Sequence, residues 1–460
     1  MGQSNQNWKR RDVLKSLGMA AMGTTLAKNS YPENNVKEIN STLGKQDNRK
    51  LAEPVKVIVI GAGNRGWGAY SSYGLKFPDK MQVVGVAEPI PYRRERISKA
   101  FKIPTENQFE TWEEVFKVPK FADALFITTP DNLHYGPAMA GLKIGYELLL
   151  EKVIAQSWKE CNDILKLAEE KDAIVAICLV KRFNPYFMKM KELISSSETG
   201  KVISIQHFDS VEHIRFSHSF VRGSRANSKK SSPLILSESC DDTDILHWIV
   251  DRPCTRVQSF GSLRYFREEM APKGSTDLCT NGCKVERTCP YSARKIYLEQ
   301  RLWLDDLKIE EANNENILRE LFTGPFGRCV YRCDNDVVDH QIANFEFEGD
   351  LTANFSLEAL SGFSGRRTRI FCTDGDITGD EKTLTVNKFS TGEQTIWNAP
   401  DEPDEENNGE AHALIHNFVR AVAFKDPKLV VTIQESVASH LMGFKAEDSR
   451  LKGTIEKVGM

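Results

Sequence analysis

The stretch Val55-Lys56-Val57-Ile58-Val59-Ile60, followed by Gly61-Ala62-Gly63-Asn64-Arg65-Gly66, constrains this chain more than any other. A short β-branched run ending in closely spaced glycines reads as a buried parallel strand feeding a phosphate-cradling turn. Gly61 permits the tight turn, and Gly63 lets the backbone approach a pyrophosphate. The helix after it aims its free N–H groups at that anion. Glycine pairs also serve ordinary turns, so the context has to decide. A second run, Met81–Ala87, ends at Glu88, where a ribose-binding acid is expected. A carboxylate there accepts from ribose hydroxyls and repels a 2′-phosphate. NAD is therefore expected, while Arg93 and Arg94 lie close enough to admit NADP.

Further buried runs alternate with helical patterns. Ala122–Thr128 leads into Thr129-Pro130-Asp131-Asn132-Leu133-His134, and Tyr146–Leu150 ends on Glu151-Lys152. Helices are expected over Pro91–Ala100 and Ser157–Lys171, and Ala173–Ile177 closes the series. Strands alternating with helices imply a doubly wound parallel sheet, whose ligands bind beyond the carboxyl ends of the strands. Gly61, Glu88, Thr129 and Lys152 all fall there. Beyond Arg182 the pattern changes to alternation, in Val202–Phe208, Ile342–Phe347 and Leu351–Leu357. Alternation means one buried and one wet face, hence a second, mainly antiparallel α/β domain. The expected organisation is a signal over 1–27, a linker over 28–53, a Rossmann dinucleotide-binding domain over 54–181 and a second α/β domain, for substrate, over 182–460.

The N-terminal assignment rests on Arg10-Arg11 followed by a modest apolar stretch, Ser16–Ala27, as in twin-arginine export signals. That route carries folded proteins, so the chain is expected in the periplasm with its dinucleotide already acquired. A length of 460 residues allows two cores. The net charge of −3 gives no case for nucleic acid, and no apolar run approaches a membrane span.

Taken together, Gly61–Gly66, Glu88-Pro89, Thr129–His134 and Glu151-Lys152 resemble the Gfo/Idh/MocA family of sugar and inositol dehydrogenases. The resemblance implies that Gly61, Gly63, Asn64, Arg65 and Gly66 hold the pyrophosphate and Glu88 the adenosine ribose. It also implies that Thr129, Pro130 and His134 line the nicotinamide end. Glu151 and Lys152 match a Glu-Lys-Pro motif whose lysine lies between nicotinamide and substrate. Here Val153 replaces the proline, and loss of its fixed φ is expected to loosen Lys152. Ser237–Asp244 aligns with a helix bearing Asp-x-x-x-His, with Ser237 at the aspartate position and Asp241 at the histidine position. Asp241 would then be the catalytic base, a task for which an aspartate needs its pKa raised by burial. The alternative for Asp241 is a carboxylate favoured by a helix N-terminus. The family also implies a homo-oligomer, a dimer or a tetramer.

Cys279, Cys283 and Cys289, with Cys329 and Cys333 later, crowd five of the ten cysteines into one segment. Converging thiolates hold zinc or an iron–sulfur centre; disulfides or reduced thiols are the alternatives. His213, His218 and Arg222 lie in a segment expected beside the cleft, where His218 and Arg222 could read sugar hydroxyls or could end a strand. The expected activity is NAD(H)-dependent oxidation or reduction of a secondary alcohol on a small carbohydrate, cyclitol or glycoside. Two alternatives stay open: NAD-dependent glycoside hydrolysis by oxidation, elimination and reduction, and a catalytically silent sensor.

Overall fold

A computed structural model describes residues 49–400 and 409–459. The twin-arginine stretch and nearly all of the linker fall outside these residues. Six parallel strands form the first sheet: β1 (Val55–Ile60), β2 (Met81–Ala87), β3 (Gln108–Phe109), β4 (Ala124–Ile127), β5 (Glu147–Leu150) and β6 (Val175–Ile177). Their order is β3-β2-β1-β4-β5-β6, with helices in the crossovers, so the doubly wound expectation holds. Val57, Ile58, Val59, Leu125, Phe126 and Leu149 have no exposed surface. Each such side chain contributes roughly 1.5–3 kcal/mol on burial, which is why the runs are apolar on both faces.

The register sets the site. Ile60 pairs with Ala87 on one side and Ile127 on the other, and Ile127 pairs with Leu150. The four chain segments that leave these strands, beginning at Gly61, Glu88, Thr128 and Glu151, therefore emerge along one edge.

The second sheet has nine strands: β7 (Val202–Glu212), β8 (Cys254–Ser262), β9 (His340–Phe347), β10 (Leu351–Ser361), β11 (Gly365–Cys372), β12 (Gly375–Gly379), β13 (Thr383–Lys388), β14 (Gln394–Asn398) and β15 (Glu456–Lys457). Their order is β14-β13-β12-β11-β7-β10-β9-β8-β15, antiparallel except where β10 runs parallel to β7. Helices Cys240–Val250 and Ile433–Lys452 bury its inner face, as Ile245, Leu246, Leu441 and Met442 show.

Two features depart from the expected division. Residues 182–460 are not one unit, because Leu414, Ile415, Phe418, Val419 and Val431 pack into the core of the first domain. Ile177 N donates to Val431 O at 2.9 Å, so the returning chain covers the open edge of β6. The second departure lies between β8 and β9, which are antiparallel neighbours. Two to five residues would join such a pair, yet residues 263–339 intervene. This insertion builds a small core of its own from Ala293, Ile296, Tyr297, Leu307, Ile317, Leu321 and Phe326. Among the described residues no helix is long and apolar enough to cross a membrane.

Candidate active site

The edge of the first sheet fits a dinucleotide. A Cβ on Gly61 would lie 2.8 Å from the Thr128 carbonyl oxygen, and one on Gly66 would lie 2.0 Å from the Gly61 carbonyl oxygen. Gly61 also has φ +94°, a left-handed conformation. These two glycines let the turn close on itself. Gly63 differs: a Cβ there would meet only the Arg93 Nη1, at 3.6 Å, leaving the backbone open to an approaching phosphate. Gly63 caps a helix whose first turns, Asn64–Ser71, are π-wound. The first N–H groups of such a helix lack intrahelical partners, and its dipole favours an anion.

Glu88 is only 4% exposed; its Oε2 accepts from Ala62 N at 2.7 Å and its Oε1 from Ile90 N at 3.0 Å. It braces the glycine turn, and each oxygen keeps a second lone pair for a ribose hydroxyl. The Asn64 amide is engaged by the second domain's insertion, donating from Nδ2 to Asp306 Oδ1 at 3.3 Å.

From this edge a cleft of about 1110 Å³ opens toward the second sheet, lined by Arg65, Thr129, Pro130, Glu151, Lys152 and Asp241 among others. Tyr70 OH donates to Glu151, and Arg65 Nε lies 3.4 Å from the same carboxylate. Lys152 follows at the end of β5. Its ammonium donates to Ser237 O at 2.9 Å and Glu238 O at 3.4 Å and lies 3.4 Å from Asp241 Oδ2. The expected loosening by Val153 is not observed, because these three oxygens fix the ammonium from the helix opposite. Burial works against its charge, but Cys240 and Asp241 outweigh it and the pKa is raised. Lys152 is an ammonium at neutral pH.

Asp241 sits in the first turn of helix Cys240–Val250 and is 8% exposed. Burial raises its pKa above the usual carboxylate range, against the pull of Lys152 and Arg366. Its Oδ1 is buried without a hydrogen-bond partner. The two readings of Asp241 thus coincide: it is a helix N-terminal carboxylate, and it lines the cleft with its Oδ2 beside Lys152.

His134 does not line the cleft. It has no exposed surface, and its ring lies between Val153 O (2.6 Å from Nδ1) and Thr129 O (2.9 Å from Nε2). It staples the Thr129 loop to the segment after Lys152. His218 and Arg222 also lie away from the cleft. The His218 ring stacks between Trp303 and Phe326, with Nδ1 2.8 Å from Tyr297 OH and Nε2 2.9 Å from Asp306 Oδ2. Arg222 donates from Nε to Arg328 O and from Nη2 to Tyr291 O, both at 2.7 Å. Both residues fasten the insertion rather than read a sugar.

The zinc expectation is corrected in the same place. Cys279, Cys283, Cys289 and Cys329 line one small cavity together with Arg222, whose Nη2 lies 3.5 Å from Cys279 Sγ. A guanidinium already stands among the sulfurs, and burial raises the pKa of Cys289, Cys329 and, to about 11, Cys333. Among the described residues no three His, Cys, Asp or Glu are placed to hold a metal.

Sequence reasoning missed a buried polar network on the other wall. Asp242 takes Arg366 at 2.5 and 2.9 Å and His207 at 2.8 Å. Burial opposes its charge, yet Arg366 and His207 hold its pKa far below the carboxylate range. Asp209, which lines the cleft on β7, is pushed the other way by burial and by the Asp242 charge. Arg366 Nη2, 3.6 Å from Asp209 Oδ2, pulls in the opposite direction. The signal was available: His207 and Asp209 fall on the inward parity set by Ile205, where an apolar residue belongs.

Residues 55–178 match the family model GFO_IDH_MocA, described as an oxidoreductase family with an NAD-binding Rossmann fold. The Bacillus subtilis (strain 168) protein YteT is 20% identical over 330 residues, 70% of this chain and 76% of that protein. The scyllo-inositol 2-dehydrogenase (NAD(+)) of the same organism is 24% identical over 213 residues, 46% of this chain and 59% of that protein. Among solved structures, an inositol dehydrogenase homologue complexed with NAD+ from Azotobacter vinelandii superposes with a TM-score of 0.64 at 12% identity, covering 89% of this chain and 98% of that chain. At that identity the likeness establishes the fold.

Proposed function

We propose that this chain, whose first domain carries the NAD-binding Rossmann fold of the Gfo/Idh/MocA oxidoreductases, is an NAD(H)-dependent dehydrogenase of a secondary alcohol on a sugar or cyclitol. The observation that carries the reading is the Lys152–Asp241 pair, with Nζ 3.4 Å from Oδ2, in the wall of the cleft. Gly63 and the helix beginning at Asn64 would hold the pyrophosphate, Glu88 the adenosine ribose, and Thr129 and Pro130 the nicotinamide end. The bound cofactor supplies a hydride acceptor, or in reverse a donor.

The protein supplies the rest. The Asp241 carboxylate, through Oδ2 beside Lys152, accepts the hydroxyl proton, a role its raised pKa suits better than that of an exposed aspartate. The Lys152 ammonium donates to the same substrate oxygen and stabilises the alkoxide as it forms, so its contribution grows toward the transition state. Exposed Phe260, Ile342 and Leu360 on the outer face of the second sheet support a homo-oligomer, and the Arg10-Arg11 stretch supports export to the periplasm.

The test is a panel of cyclitols and hexoses scored by NADH absorbance. Lys152→Met should lower turnover by roughly 100-fold or more, the scale for losing one such donor. Asp241→Asn should abolish the acid limb of the pH profile, which in wild type lies above the ordinary carboxylate range because Asp241 must be ionised to act. Near wild-type turnover in both variants would defeat the reading.

A further inference from the structure

The insertion between β8 and β9 reaches back to the glycine turn. Its turn Leu304–Leu307 brings the Asp305 carbonyl within 2.8 Å of Arg93 Nη2 and the Asp306 carboxylate within 3.3 Å of Asn64 Nδ2. Arg93 and Asn64 flank Gly63, the glycine of the turn whose Cβ position is not closed by backbone, and Arg93 Nη1 lies 3.6 Å from that position. Asp306 is held from behind by His218, itself clamped between Trp303 and Phe326 and bonded to Tyr297. The reach is therefore a rigid arm, rooted in the insertion's own core, with its tip on the phosphate-facing turn.

Resting on the NAD reading above, we infer that the Leu304–Leu307 turn is a clasp that holds the dinucleotide across turnovers. The clasp keeps Arg93 poised over Gly63, where a pyrophosphate charge would sit, and a dinucleotide seated there leaves only after the Asp305 and Asp306 contacts break. Asp306 is a positioning residue: it acts through Asn64 and His218. A connection this long between hairpin neighbours calls for a role, and closing loops act mainly on release rates. Retention would also suit redox-neutral glycoside cleavage. There the hydride taken from the sugar is returned to it, and glycoside plus water gives sugar plus alcohol.

The experiment uses the full chain and NAD+ itself. Stopped-flow displacement measures association and dissociation separately for wild type and Asp306→Ala. Hydrogen exchange follows the 303–308 amides with and without NAD+. The clasp predicts dissociation at least tenfold faster in the variant, association within about twofold, and new protection of 303–308 on NAD+ binding to wild type. If Asp306→Ala does not fold, the exchange result on wild type decides alone. Tight NAD+ binding with no gain in protection and an unchanged dissociation rate would overturn the clasp and leave the dehydrogenase standing. Absence of NAD+ binding in wild type would overturn both.

Discussion

The first sheet and the insertion answer the same question, how to bury a core, in opposite ways. In the sheet, β1, β4 and β5 are buried at nearly every position, and the backbone groups pair strand to strand. Regular pairing leaves almost nothing for side chains to satisfy, so residue types there are apolar and patterned. In the insertion, residues 263–339 contain only short helices, and a buried guanidinium does the work of a ladder. Arg222 satisfies carbonyls of Arg328 and Tyr291, which come from two separate stretches of the segment. The contrast shows that a core can be built on repetition or on one polar hub. The first tolerates no added backbone bulk, and the second tolerates no loss of its hub.

The strongest test of that contrast lies in the glycine turn. Gly66→Ala drives a Cβ against the Gly61 carbonyl and should cost about 4 kcal/mol or more, the exceptional end of single substitutions. Gly63→Ala, with open space at its Cβ, should fold and melt near wild type while binding NAD+ less tightly. Denaturant unfolding of the two variants side by side checks this; equal stabilities would break the account of the turn. Next comes the hub. Arg222→Met leaves the Arg328 and Tyr291 carbonyls buried and unpaired and should cost about 3 kcal/mol. Limited proteolysis should then cut within 263–339 while the first domain resists. Uniform resistance would mean that the insertion does not depend on Arg222.

The smallest effect concerns His440, buried in the seam helix Ile433–Lys452. It accepts from Ile154 N at 3.3 Å and lies 2.9 Å from Ser436 O, and burial pushes its pKa from 6.5 down to about 4. The unfolded chain binds a proton between pH 6.5 and 4 that the folded chain refuses. Stability from this group is therefore full above pH 6.5 and lost as pH falls toward 4, by about 2 kcal/mol at pH 5. Chemical denaturation of wild type and His440→Asn at pH 7.5 and 5 should show the difference vanish in the variant. An unchanged pH slope would place the acid sensitivity in other groups, among them His247, His412 and His416, whose pKa values burial also lowers.

What could be read beforehand follows the same division. The parallel strands, their order of appearance and the residues at their carboxyl ends were legible because burial on both faces leaves an unbroken apolar run. The positions of Glu88 and Lys152 at the sheet edge and of Asp241 in the cleft wall were legible because each stands at a fixed offset from such a run or within a family motif. His218 and Arg222 were misassigned for a physical reason. A polar residue in an irregular segment carries no periodic label saying whether it faces solvent, ligand or its own core. Asp209 was overlooked although its parity marked it. His134 was read as a cofactor contact when its two ring nitrogens are both committed to backbone carbonyls. Nor does composition reveal that residues near the C-terminus complete the first core.

That last feature has a consequence for how the molecule is made. Phe418 stacks edge-on against Phe126, and Val431 caps the β6 edge, although hundreds of residues of chain separate the partners. As the protein emerges from the ribosome, the six parallel strands are all available long before their final flank exists. Until the chain through helix Gly409–Phe424 and on to Val431 is translated, the nascent sheet keeps an apolar flank and a bare strand edge open to solvent. Such intermediates are aggregation-prone. The interval between the synthesis of β6 and of Val431 is thus when a chaperone would be needed, and a fragment ending at Arg182 would remain in that state permanently.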